Sequence, residues 1–119
     1  RGMHFQKNKP QGKLVSVISG CVFDVVVDLR DTSETYKKWQ GFELSANNKK
    51  QLWVPAGFAH GFLVLSDYAD FLYKCSEFYA SNDEYSLLWS DRDIGIDWPI
   101  DKPSLSEKDS SAKLFKEFF

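Results

Sequence analysis

Apolar and polar residues alternate most regularly in Cys21 to Arg30, where Phe23, Val25, Val27 and Leu29 share one face while Asp24, Asp28 and Arg30 share the other. A period of two is that of an extended chain, so this stretch predicts a half-buried β-strand with the Phe23 to Leu29 stripe in the core. Leu14 to Ile18 precedes it with only Ser19-Gly20 between, a spacing that suits a tight antiparallel hairpin. Further strands are predicted at Tyr36 to Ser45, Gln51 to Val54, Gly61 to Leu65 and Phe71 to Ser76. Turn-forming Asn47-Asn48, Pro55-Ala56-Gly57 and Ser66-Asp67 separate them. Only the end reads as helical: Ser106 is a suitable N-cap, and Ala112, Phe115 and Phe118 follow at roughly helical spacing. Short strands in close succession, no βαβ rhythm and no Gly-rich phosphate loop argue against a nucleotide-binding α/β fold. They predict an all-β jelly-roll barrel of antiparallel strands with a short C-terminal helix.

Composition narrows the picture. With 119 residues, 43% of them hydrophobic, the chain has the material for one compact domain over residues 1–119. Its 4 Trp, 5 Tyr and 10 Phe favour strands and large side-chain contacts over helix packing. A formal charge of −2 is too even for a surface that coats phosphates, so no nucleic-acid partner is expected. No apolar run approaches the roughly 20 residues that cross a bilayer, and Arg1 to Pro10 lacks the hydrophobic stretch of a signal peptide; no membrane partner and a cytoplasmic location are the expectation. Cys21 and Cys75 are expected as free thiols. The opening Arg1-Gly2-Met3-His4, without an initiator Met, reads as the middle of a structured segment, and a truncated chain is expected.

Candidate chemistry centres on two histidines, each near a glycine in an aromatic strand context: Gly2-Met3-His4-Phe5-Gln6 and Gly57-Phe58-Ala59-His60-Gly61-Phe62. With Pro55, the second resembles the Pro-x-Gly-x-x-His element of cupin barrels. Metal-binding cupins usually supply His-x-His and a later Glu from the first motif, but here Gln6 stands at the second His position. Two imidazoles without an obvious carboxylate partner fall short of the three protein ligands a transition metal normally needs, so a site without metal or cofactor is expected. Such a pocket suits proton transfer, since imidazole has an unperturbed pKa of about 6.5. Abstracting a proton from carbon also needs a neighbouring carbonyl, a cation for the enolate oxygen and a second group to return a proton. Lys13 and Tyr73 are chemically fit for the last two tasks.

At this point six ordered motifs resemble the dTDP-4-dehydrorhamnose 3,5-epimerase family from end to end. They are Arg1 to Gln6, Gln11 to Val15, Val22 to Arg30, Gln51 to Pro55, Gly57 to Phe62 and Ser106 to Asp109. The resemblance implies a homodimeric cupin-type jelly roll of dTDP-rhamnose biosynthesis that acts on a dTDP-4-keto-6-deoxyhexose without a cofactor. By motif, His4 would be the base, Asp109 would hold its imidazole, Lys13 would steady the enolate oxygen and Tyr73 would deliver the proton on the other face. Arg1 and His60 would contact the diphosphate, Tyr79 would stack on thymine, and Glu84 and Lys108 would add substrate contacts. Met3 stands where the family usually has Leu, a volume-conserving change. The family also carries a segment before its Arg-Gly-x-His motif that helps bind the nucleotide.

Plainer readings stand beside these. His4 is equally readable as a buried histidine satisfied by a backbone carbonyl, Tyr73 as a core aromatic with its hydroxyl at the rim, and Lys13 and Arg1 as solvated charges. Ser106-x-x-Asp109 also has the form of a helix-capping pair, and His60 could brace the turn after Pro55. Among functions, the rivals are a single-centre epimerase on a related dTDP-4-keto sugar, a non-catalytic sugar-nucleotide-binding domain and a metal-dependent cupin.

Overall fold

The computed structural model describes all residues, 1–119. Eight strands follow one another: β1 (His4–Gln6), β2 (Lys13–Ser19), β3 (Cys21–Asp28), β4 (Trp39–Ser45), β5 (Gln51–Val54), β6 (Phe58–Val64), β7 (Asp70–Cys75) and β8 (Glu84–Ser86). A single turn of helix, α1 (Glu107–Ser110), comes late in the chain. The strands form two sheets, β4-β3-β6-β1-β8 and β5-β2-β7, with every strand pair antiparallel. Together the sheets make the jelly roll expected from the sequence.

The predicted β2–β3 hairpin is not there. β2 pairs with β5 and β7, whereas β3 pairs with β4 and β6 in the other sheet. A register shift between Val17 and Ser19 bends β2, and Gly20, at φ +83°, turns the corner into the opposite sheet. A side chain on Gly20 would meet the Tyr68 carbonyl oxygen at 2.3 Å, so the corner requires glycine. A two-residue connection serves a sheet-switching corner as well as a hairpin, and the bulge decides between them.

β3 is also more buried than its alternation implies. Val25 and Val27 pack with Met3, Phe5, Leu29, Ala59, Leu87, Ile94 and Phe115 in a core beneath the C-terminal segment. Val22 and Val26, on the opposite face, pack with Val15, Val17, Leu44 and Val54 between the two sheets. Asp24 and Asp28, expected toward water, are 0% and 1% exposed because that face is the barrel interior. Asp28 accepts hydrogen bonds from the Arg30 guanidinium and from the Ser33 and Thr35 hydroxyls, which hold its carboxyl far below the usual range against the upward push of burial.

The expected short C-terminal helix is present, but it does not reach the aromatics that follow it at helical spacing. Ser106 does cap α1, its Oγ accepting from the Asp109 N–H at 3.1 Å, but the helix ends at Ser110. Lys113 then bridges Leu87 in parallel, and Phe115 enters the core with its N–H on Asp91 Oδ2 at 2.6 Å. Phe118 packs edge-on against Phe5. A separate 3-10 turn, Phe115–Glu117, and tertiary contacts bring these aromatics inward without a continuous α-helical face.

Candidate active site

The site lies at one mouth of the barrel, and β1 is placed there by two glycines. A Cβ on Gly2 would come within 2.6 Å of Gly61 Cα, and one on Gly61 within 2.7 Å of the Arg1 oxygen. Backbone meets backbone, and β1 settles between β6 and β8 with His4 directly opposite His60 on one side and Ser86 on the other. Residues opposite in register share a face, so both imidazoles turn into the barrel. The cavity around them is lined by Arg1, just ahead of β1, and by His4, Gln6 and His60 from the larger sheet. Lys13, Tyr73 and Cys75 line it from the smaller, with Tyr79 and Glu84 at the rim.

His4 is 9% exposed and its Nε2 lies 2.6 Å from Asp109 Oδ1. The other Asp109 oxygen accepts from the Gly2 N–H at 3.1 Å, which ties the start of β1 to α1. Burial alone would raise the Asp109 carboxyl, but the hydrogen bonds from His4 and Gly2 outweigh it and hold it below the ordinary range. An ionised Asp109 accepts the Nε2 proton and leaves Nδ1 as the free lone pair. Burial lowers His4 below the ordinary histidine value despite the opposing pull of Asp109 and Glu84, so the ring is neutral at pH 7. Asp109 thus both receives the Ser106 cap at its N–H and holds the imidazole with its side chain.

Across the cavity, Lys13 Nζ stands 5.9 Å from the Tyr73 ring centroid. Burial pulls Lys13 below the ordinary lysine value, against the raising influence of Cys75 and Glu84. Tyr73 is 48% exposed, a rim residue and not a core aromatic. His60 does more than brace a turn: its Nε2 lies 2.9 Å from both oxygens of Asp24, and its ring stacks on Phe71. The Arg1 backbone is paired on both sides of Phe62, and its residue lines the cavity beside His60. Lys108 reaches Glu84 Oε2 at 3.0 Å, and the Tyr79 hydroxyl donates to the same oxygen at 2.6 Å. All nine candidate residues therefore gather at one mouth or in direct contact with a residue there. No group of three His, Cys, Asp or Glu is arranged to hold a metal ion.

Two site residues escaped the sequence reading. Asp24 was assigned to water, although a carboxylate two positions from Val26, the register partner of His60, is diagonal to that histidine across the sheet. Gln6 was seen only as a missing metal ligand. Its Oε1 accepts from the Ala80 N–H at 2.9 Å and its Nε2 donates to the Phe78 and Lys9 carbonyls, so it pins the backbone on both sides of Tyr79.

An antiparallel jelly roll whose mouth joins a carboxylate-held imidazole to a lysine and a tyrosine has the form of a cupin equipped for proton transfer. Residues 1–117 match the family model described as dTDP-4-dehydrorhamnose 3,5-epimerase, and the chain belongs to that family. The dTDP-4-dehydrorhamnose 3,5-epimerase of Pseudomonas aeruginosa is 54% identical over 118 residues, which are 98% of this chain and 65% of that protein. Among solved structures, the dTDP-6-deoxy-D-glucose-3,5-epimerase of Legionella pneumophila in complex with dTDP-4-keto-L-rhamnose superimposes with a TM-score of 0.94 at 51% identity. That match covers 98% of this chain and 62% of the other. A 3'-monoepimerase from Streptomyces bikiniensis in complex with dTDP-quinovose gives 0.89 at 36% identity, over 96% and 59% of the two chains. The chain thus spans a little under two thirds of the length of these relatives.

Proposed function

We propose that this domain inverts C3 and C5 of dTDP-4-keto-6-deoxy-D-glucose to give dTDP-4-dehydro-L-rhamnose, without metal or cofactor. The observation that carries the reading is the His4–Asp109 contact of 2.6 Å, which leaves Nδ1 unprotonated and turned into a cavity shared with Lys13 and Tyr73. His4 Nδ1 takes the proton from the carbon beside the ketone, and the electron pair of the broken C–H bond moves into the C4 carbonyl. Lys13 steadies the resulting enolate oxygen, and the Tyr73 hydroxyl returns a proton to the opposite face of the same carbon. The imidazolium and phenolate then reset by exchange with water, and the cycle repeats at the second centre. Arg1 and His60 meet the diphosphate, Tyr79 stacks on thymine, and Glu84 and Lys108 border the sugar. A cytoplasmic location and a homodimer belong to the same proposal; the outer face of the smaller sheet exposes Ile18, Trp53 and Leu72, an apolar surface suited to a second copy.

The test is solvent-deuterium incorporation at C3 and C5, followed by proton NMR of the product. His4→Ala should lose exchange by about 100- to 10,000-fold. A variant that exchanges at the wild-type rate overturns the assignment. The likeness to a 3'-monoepimerase favours one second reading, inversion at a single centre, and label at one carbon only would select it. Binding of dTDP with no exchange at either carbon would select a non-catalytic domain.

A further inference from the structure

Glu84 is placed to do more than border the sugar. The groups that face His4 are Asp109 from α1, Glu84 from β8, Arg1 ahead of β1 and His60 from β6, with Lys13 on β2 and Tyr73 and Cys75 on β7 across the cavity. Asp109 occupies Nε2, and Glu84 Oε1 faces the other ring nitrogen, 3.5 Å from Nδ1. The second oxygen of the same carboxylate is held by the Tyr79 hydroxyl at 2.6 Å and by Lys108 Nζ at 3.0 Å. One carboxylate, its side chain only 11% exposed, therefore spans from an aromatic at the rim to the nitrogen that would take the proton.

The segment carrying Tyr79 is fastened by its backbone and open at its rings. Gln6 holds the Ala80 N–H and the Phe78 carbonyl, and Gln11 Nε2 donates to the Glu77 carbonyl at 2.7 Å. Yet Phe78 and Tyr79 stand 88% and 66% exposed. Such a ring is free to accept a planar partner on its face while its hydroxyl stays on Glu84. A partner there shields the Tyr79–Glu84 hydrogen bond from water, and a shielded carboxylate acts more strongly on its neighbours.

We propose that Glu84 is a positioning residue that favours the protonated form of His4 at Nδ1 and relays to it whether a nucleobase covers Tyr79. The base would then be strongest when nucleotide sugar is seated. The inference rests on the nucleotide-sugar reading for what covers Tyr79. A unit charge at 3.5 Å, even fully screened by water, is worth about a fivefold to tenfold change in a protonation equilibrium.

The experiment follows the His4 ring of the full chain by NMR through a pH titration in wild type, Glu84→Gln and Tyr79→Phe. Each is measured with and without thymidine, which carries the base and sugar but no phosphate charge. Glu84→Gln should shift the His4 titration to lower pH and slow deuterium exchange on the keto sugar about fivefold. Thymidine should shift the wild-type titration to higher pH and leave Glu84→Gln unmoved. Tyr79→Phe keeps the stacking ring without its hydroxyl and should lose most of the thymidine response; being on the exposed segment, it carries the test should Glu84→Gln fail to fold. A His4 titration indifferent to Glu84→Gln, a wild type indifferent to thymidine, or equal thymidine shifts in wild type and variants each overturn the proposal. The expected titrations without exchange on the keto sugar would instead overturn the epimerase reading and leave the relay standing.

Discussion

The two histidines of this chain make almost the same contact in different settings. Both are buried, both turn into the barrel from strands that lie side by side, and both meet an aspartate through Nε2. His60 takes its partner from the next strand of its own sheet, only 36 residues away, with both Asp24 oxygens at 2.9 Å and the ring stacked on Phe71. His4 takes its partner from a single helical turn 105 residues on, through one oxygen at 2.6 Å, while its Nδ1 faces a second carboxylate and the cavity. A pair built inside a sheet is held by the ladder and adds to the fold. A pair built between a strand and the chain's last segment exists only once the whole domain has closed, and the other nitrogen of its imidazole stands 3.5 Å from Glu84 Oε1. The same two side chains therefore suit an anchor in one place and the proposed base in the other.

The sharpest way to break that contrast is to remove each aspartate's charge in turn. Asp109→Asn loses the charge that keeps the proton on Nε2, and the tautomer with Nδ1–H cannot act as the proposed base. Exchange at C3 and C5 should fall about 100- to 10,000-fold, while the urea unfolding free energy changes by about 1–2 kcal/mol.

Asp24→Asn should invert the pattern. Its carboxylate is wholly buried and both oxygens are used by His60, so the loss should cost about 2–4 kcal/mol of stability. Exchange should slow by no more than about tenfold, mostly through a higher KM, because His60 is proposed to hold the diphosphate and not to move the proton. A larger rate loss in Asp24→Asn than in Asp109→Asn would reverse the roles assigned to the two pairs.

The contrast also shows where sequence reasoning reached and where it stopped. The strands of β3, β5 and β7 were readable because their alternation and turn residues are local. The inward turn of Asp24 and Asp28 was not, since period two tells that two faces differ and not that both are covered; a second sheet covers the polar one. The short β8 carries no pattern in three residues, and Phe115 and Phe118 mimic a helical stripe while docking one by one. Nothing local links His4 to Asp109 across 105 positions; only the family motifs paired them, and in the structure the two side chains lie 2.6 Å apart. Gln6 was read by what it lacked, because the backbone it holds on both sides of Tyr79 lies more than 70 residues away.

The smallest expected effect is on pH dependence, and it assigns the active nitrogen to one pair. The proposed base works only when neutral, and burial holds His4 below the ordinary histidine value of about 6.5, against the pull of Asp109 and Glu84. An unperturbed imidazole would lose about fourfold between pH 8 and pH 6. With the lowered value, kcat/KM should fall by less than that fourfold over the interval, with its acid limb below pH 6.5. Asp109 and Glu84, both held below the usual carboxylate range, stay ionised throughout. Stability runs on the same sign: below pH 6.5 the unfolded chain takes up a proton that folded His4 refuses, so the His4 contribution drains away as pH falls toward its folded value. The two carboxylates contribute above their unfolded values, near pH 4, and lose that contribution only as pH falls through their lower folded ones. His60→Asn should leave the acid limb where it is, whereas Glu84→Gln should carry it further down. A limb at or above pH 6.5, or one that moves with His60, would mean that the anchor and the base have been assigned to the wrong histidines.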